Sequence, residues 1–148
     1  MKIGFNLPLW TTNVQSEHWP ILEDIKRVGY DGVEIPVFEG APAHYAELRF
    51  SGEGPTATSA SARSTSIGPT ARALANMGSR SPSKRSTGSN AIKALKRSGY
   101  EGWLTIEAFG RALPELAAAT RVWRDLFPAP SQVYREGYSV IREGWDAA

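Results

Sequence analysis

At 148 residues, with 22% charged residues and a net charge of +2, the chain has the length of one domain and the polarity of a water-exposed one. It has no cysteine, which excludes a disulfide framework and a thiolate metal site and makes a reducing cytoplasm the expected compartment. No apolar run is long enough to span a membrane, and the opening "MKIGFNLPLW" lacks the cationic start, apolar core and cleavage site of a leader.

The charge is unevenly spread. Residues 1–48 hold 3 Lys and Arg against 7 Asp and Glu, residues 49–90 hold 6 against 1, and residues 91–148 hold 8 against 7. The basic balance therefore belongs to the middle of the chain.

"MKIGFNLPLW" alternates, with Ile3, Phe5 and Leu7 on one side and Lys2, Gly4 and Asn6 on the other, which predicts a strand. From Ser16, Ile21, Leu22, Ile25 and Val28 stand at helical spacing, and Gly29 supplies a left-handed stop. "GVEIPVF" then reads as a second strand.

Residues 49–90 change character. Ser, Thr, Gly, Ala and Arg dominate, and the large apolar residues are Phe50, Ile67, Leu74 and Met77. So little apolar surface does not offset the entropy of ordering a backbone. The segment is expected to be a linker or disordered, with at most a short helix near Ala71 to Met77.

The third part repeats the first. Asn90 is the expected N-cap of a helix "AIKALKRSG" that stops at Gly99. "WLTIEAF" is the expected strand. "LPELAAATRVWRDLF" is an expected helix with Leu116, Ala119, Trp123 and Leu126 in one stripe. "SQVYREGYSVIREGW" is a last amphipathic helix, with Tyr134, Tyr138, Ile141 and Trp145 on one face.

One phrase occurs twice, "IKRVGYDGVEI" at 25–35 and "LKRSGYEGWLTIE" at 95–107. It reads as a helix-to-strand junction: cations in the last turn, Gly to end the helix, Tyr over the turn, then a strand. Repeated helix–strand units point to an α/β fold with parallel strands, open or closed into a barrel. Alternation places Trp103, Thr105 and Glu107 on the polar face of their strand, and Glu34 and Asn6 hold comparable places in theirs. A carboxylate at a strand end binds a cation or moves a proton. A solvated strand-end Glu, or one paired with Arg, is the competing reading.

The stretches "MKIGFNLPLW", "GYDGVEIPVFEG" and "IEAFGRALPELAAATRVWRDLF" resemble the xylose-isomerase-like family of sugar phosphate isomerases and epimerases, nearest to the D-tagatose/D-psicose 3-epimerases. The resemblance covers residues 1–48 and 91–148. It implies a (β/α)8 TIM barrel, here truncated, with N-terminal β/α units in 1–48 and a C-terminal unit and tail helix in 91–148. It also implies a divalent ion (Mn, Co or Mg) held by two Glu, one Asp and one His, and proton transfer through an enediolate on a ketose. By that resemblance Glu107 is catalytic and a metal ligand, Asn6, Trp10 and Glu34 contact the sugar, and Arg111 reaches a hydroxyl or phosphate. The partner implied is a small sugar or sugar phosphate, with a homo-oligomer left open.

The chain departs from this pattern. The family's other ligands would lie in the middle, which holds Glu53 but no Asp and no His. His18 and His44 do not match the family's histidine. The middle resembles a truncated or out-of-frame version of the family sequence. The alternative is a non-catalytic barrel remnant that self-associates or binds a partner. The run "SRSPSKRS" attracts phosphate but has no aromatic residues for stacking, so a nucleic-acid partner is not expected.

Overall fold

A computed structural model of the chain describes residues 1–36, 71–73 and 82–148. In chain order these form β1 (Lys2–Asn6), a 3₁₀ turn (Leu7–Leu9), a second (Ser16–His18), α1 (Trp19–Val28), β2 (Gly32–Glu34), β3 (Ala71–Ala73), α2 (Pro82–Arg97), β4 (Trp103–Ile106), α3 (Pro114–Ala119) and α4 (Pro130–Asp146). The strands form one sheet in the order β2-β1-β4-β3, and every pair is parallel. The two central strands, β1 and β4, thus lie about a hundred residues apart in the sequence.

Alternation sets the two faces of this sheet. Ile3, Phe5, Leu104 and Ile106 are each at most 2% exposed and form the floor of the apolar core. Ile25 of α1 and Val133, Tyr134 and Ile141 of α4 close over them. Fully burying one such side chain contributes about 1.5–3 kcal/mol. Gly137 lets α4 lie close: a methyl built there would stand 2.7 Å from Ile106 Cδ1.

Residues of the other face include Gly4, Asn6, Gly32, Glu34, Trp103 and Thr105. A methyl on Gly4 would meet Thr105 Oγ1 at 3.1 Å and the Trp103 ring at 3.4 Å, which fixes these three on one side.

Both junction phrases fold as helix stops. Gly29 is left-handed (φ 118°), and so is Gly99 (φ 71°). Each glycine N–H returns to the lysine carbonyl three residues back, Lys26 and Lys96. The Tyr after each glycine bonds Ile25 O and Leu95 O respectively.

Several expectations are corrected. Asn90 does not cap its helix; it lies inside α2, which starts at Pro82. Proline at the first turn gives up an N–H that has no helical partner anyway, so the helix begins there. Ala71–Ala73 is a strand rather than a helix, because pairing with Leu104–Ile106 outweighs the helical propensity of Ala and Arg. Residues 74–77 lie outside the described residues.

The helix expected through Trp123 ends at Ala119. Arg121 turns left-handed (φ 58°), with Arg121 N bonded to Ala118 O and Val122 N to Ala117 O, which is a Schellman closure. Trp123 leaves the expected apolar stripe and is 75% exposed. The helix expected from Ser16 begins instead as a 3₁₀ turn, where His18 and Gln15 cap one another. The last helix keeps its expected face: Tyr134 and Ile141 are buried, with Tyr138 and Trp145 packed beside them.

Candidate active site at the strand ends

Parallel pairing brings the C-terminal ends of β1, β2 and β4 to one edge of the sheet. Asn6 is the register partner of Glu34. Phe5 is the partner of Ile106, and Glu107 follows directly, so it leaves β4 at the level of Asn6. Asn6 therefore stands between two carboxylate-bearing strand ends.

Asn6 Nδ2 donates to Glu34 Oε2 at 3.0 Å. Asn6 Oδ1 is buried without a hydrogen-bond partner among the described residues. A buried acceptor left in this state is costly and is satisfied by a hydroxyl or N–H brought to it. Glu34 is exposed and Glu107 half-buried. The edge is thus rich in acceptors, suited to the hydroxyl donors of a polyol.

Trp10 reaches its place by another route. The Leu7–Leu9 turn follows β1 directly, and Trp10 N bonds Leu7 O at 2.9 Å. Its ring lies 5.5 Å from Phe5 and 5.8 Å from Tyr134, between centroids. It therefore joins the aromatic cluster over the core face, on the opposite side of β1 from the Asn6–Glu34 pair. Arg111, in the segment after β4, pairs with Asp125 at 3.3 Å with both side chains more than half exposed, a pairing that contributes little.

The sequence did not single out Asp24, Tyr30 and Tyr134 as a polar group. Tyr134 donates its hydroxyl to Asp24, and Arg135 Nη2 reaches both Asp24 oxygens at 2.8 and 3.0 Å. Arg27 Nη1 adds a bond of 2.8 Å. The Tyr134 hydroxyl, with Arg135 and Arg27, holds the Asp24 carboxyl below its ordinary range, against the opposing effect of burial. Burial, and then Asp24, push the Tyr134 phenol up. Burial likewise pushes up Tyr30, whose hydroxyl donates to Tyr134 O at 2.7 Å. The signal available in the sequence was Asp24 preceding the junction phrase, where the second copy has Ala94.

The ion implied by the resemblance does not fit the described residues. Among them no group of three or more His, Asp or Glu is placed to hold a metal. Asp24 is committed to Tyr134 and the arginines, Asp31 accepts Ile3 N–H at 2.8 Å, and His18 Nδ1 serves the turn at Gln15. His44 lies outside the described residues. Nor, among the described residues, is any helix long and apolar enough to cross a membrane.

A parallel α/β sheet with an amide and two carboxylates at its C-terminal edge is the class of arrangement this chain presents. No protein-family model matches the chain, and no solved structure matches it. It is similar to a probable ketose 3-epimerase from Synechocystis sp., with 37% identity over 52 residues. The match covers 35% of this chain and spans 18% of the length of that protein. This similarity supports a relationship to the sugar epimerases and isomerases, without pointing to a specific member.

Proposed function

We propose that the chain is a ketose-binding relative of the sugar 3-epimerases, built on part of a (β/α)8 barrel, with its site at the edge formed by Asn6, Glu34 and Glu107. The observation that carries the reading is the convergence of those three residues at the C-terminal strand ends, where barrel enzymes place their chemistry. The substrate class is a ketose, free or phosphorylated, and the expected compartment is the cytoplasm.

In this reading Asn6 Oδ1 and Glu34 accept sugar hydroxyls. Glu107 removes the proton on carbon 3, next to the carbonyl at carbon 2. The C–H electron pair moves into the new carbon–carbon double bond and the carbonyl oxygen takes the charge. A proton from water then adds to the opposite face of carbon 3, the double-bond pair forming the new C–H bond as the carbonyl re-forms, and Glu107 gives its proton to solvent, so that centre is inverted. The developing oxyanion needs an electrophile. A divalent ion held as the resemblance implies is not supported by the described residues, and no step is assigned to one. Turnover is therefore expected to be slow.

The test is proton exchange at carbon 3 of D-fructose, D-psicose and D-tagatose in deuterated water, followed by NMR with the full chain, with and without manganese. The expected outcome is ketose binding with slow exchange that Glu107→Gln abolishes. Exchange unchanged by that substitution overturns the role of Glu107, and absence of ketose binding overturns the reading.

A second reading, a non-catalytic module that self-associates, is favoured by the exposure of Trp123. Trp is enriched among the residues that dominate interfaces. Sedimentation across a concentration series checks it: dimers lost in Trp123→Ala support it, and a monomer throughout removes it.

A further inference from the structure

We propose that Asp24 and Tyr134 act as a positioning pair that fixes Trp10 beside the C-terminal end of β1. The inference is independent of the proposed sugar site, whose residues lie across β1 from Trp10; the positioning stands on the packing.

Tyr134 is 4% exposed and is held at three points. Its hydroxyl is given to Asp24, its carbonyl oxygen receives the Tyr30 hydroxyl at 2.7 Å, and its ring stands 6.1 Å from Phe5 and 5.8 Å from Trp10. Asp24 is itself pinned, with Arg135 on both oxygens and Arg27 on one. Restraint therefore passes from α1, through Asp24, to a phenol ring, and from that ring to the Trp10 indole. Trp10 sits at the end of a 3₁₀ turn, and its ring neighbours are Phe5, which is fixed in β1, and Tyr134, which belongs to another element. The place of the indole is set by where Tyr134 is held.

Comparison of the junction copies strengthens the point. The second copy has Ala94 where the first has Asp24, and it ends its helix at Gly99 with the same lysine-carbonyl bond. An acid at this position is not required to make the turn. Its work in the first copy lies in what it holds.

The experiment is a nitrogen–proton spectrum of the indole groups of the full chain, which has five tryptophans, with Trp10 assigned through Trp10→Phe. Tyr134→Phe and Asp24→Ala are expected to shift the Trp10 signal. Arg142→Ala, which removes the ion pair to Asp146 on the same helix, is expected to leave it in place. Asp24→Asn keeps an oxygen acceptor for Tyr134 and is expected to restore most of the native signal; it also serves if Asp24→Ala does not fold. D-Psicose is the probe for binding. Its affinity should be unchanged in Tyr134→Phe, because Trp10 lies across β1 from Asn6 and Glu34. An unchanged Trp10 signal in folded Tyr134→Phe and Asp24→Ala overturns the proposal. A shifted Trp10 signal in a chain that binds neither D-psicose nor D-fructose upholds the positioning and removes the sugar reading instead.

Discussion

The two junction phrases begin alike and deliver different things. In the first copy, Gly32 lies level with Gly4, and Glu34 follows two residues later. In the second, Lys2 N bonds Gly102 O, so the strand joins the sheet lower down, and Glu107 follows Gly102 five residues later. The extra three residues bring Glu107 to the level that Glu34 reaches at once. A shared turn therefore does not imply a shared depth. The pairing register fixes where each carboxylate emerges, and strand length compensates for the offset.

The copies also differ in what surrounds the turn. Tyr30 is 7% exposed and bonds across 104 residues to Tyr134 O. Tyr100 is half-buried and bonds Trp103 O, three residues on. The Tyr30 hydroxyl bonds across the fold to α4, whereas the Tyr100 hydroxyl bonds within its own junction.

The largest test of this contrast is at the two glycines. A methyl at Gly29 would stand 2.7 Å from Tyr138 Oη and 2.9 Å from its Cζ, at φ 118°. A methyl at Gly99 would meet nothing within 4 Å, at φ 71°. Gly29→Ala is expected to cost about 2–4 kcal/mol, combining left-handed strain with displacement of the Tyr138 ring. Gly99→Ala should cost about 1–2 kcal/mol from the strain alone. Denaturant unfolding of both variants measures the gap, and equal losses would break the comparison.

Acid titration is the next test. The folded Asp24 carboxyl lies below its ordinary value of 3.8, chiefly through the Tyr134 hydroxyl. A depressed folded value means the stabilisation is fully present above the unfolded value and is lost as pH falls through the folded one. Stability of the native chain should therefore drop on acidification from about pH 5 downward, and Asp24→Asn should flatten that limb. The second copy, with Ala94 at this place, contributes no such dependence.

Removing the two phenol hydroxyls is a smaller perturbation. Tyr30→Phe should cost about 1–1.5 kcal/mol, the weight of a buried hydrogen bond, and Tyr100→Phe about 0.5 kcal/mol. Thermal unfolding of the pair ranks them; a larger loss at Tyr100 would reverse that order.

The smallest effect concerns a third helix stop. Where α1 and α2 end on glycine, α3 closes on Arg121 in the left-handed region. Arg121→Gly should stabilise the chain by about 1 kcal/mol, by relieving the contact of Cβ with the following carbonyl. A loss of stability instead would show that the Arg121 side chain makes compensating contacts.

Much of the flanking fold was legible in the sequence, because Ile3 and Phe5 alternate, Ile21 to Val28 keep helical spacing, and Gly29 and Gly99 punctuate. The polar edge was legible for the same reason, since alternation assigns Asn6, Glu34 and Glu107. What was hidden depends on partners distant in sequence. Ala-Arg-Ala at 71–73 reads as helix until β4 offers its edge. Trp123 fits a helical stripe on paper, yet the stripe stops when Arg121 turns the chain. The bond between Tyr134 and Asp24 joins residues 110 apart, and no local pattern announces it.

The placement of β1 beside β4 carries a consequence for synthesis. The neighbour of β1 at the sheet centre, Trp103–Ile106, is made about a hundred residues after it. At about 5–20 residues per second, the interval is on the order of 5–20 s, during which Ile3 and Phe5 lack the strand and helix that bury them. Contacts so far apart in the chain also slow folding once the chain is complete. The nascent chain therefore has a built-in waiting period in which the apolar face of β1, Ile3 and Phe5, is open to chaperones, or to another nascent copy.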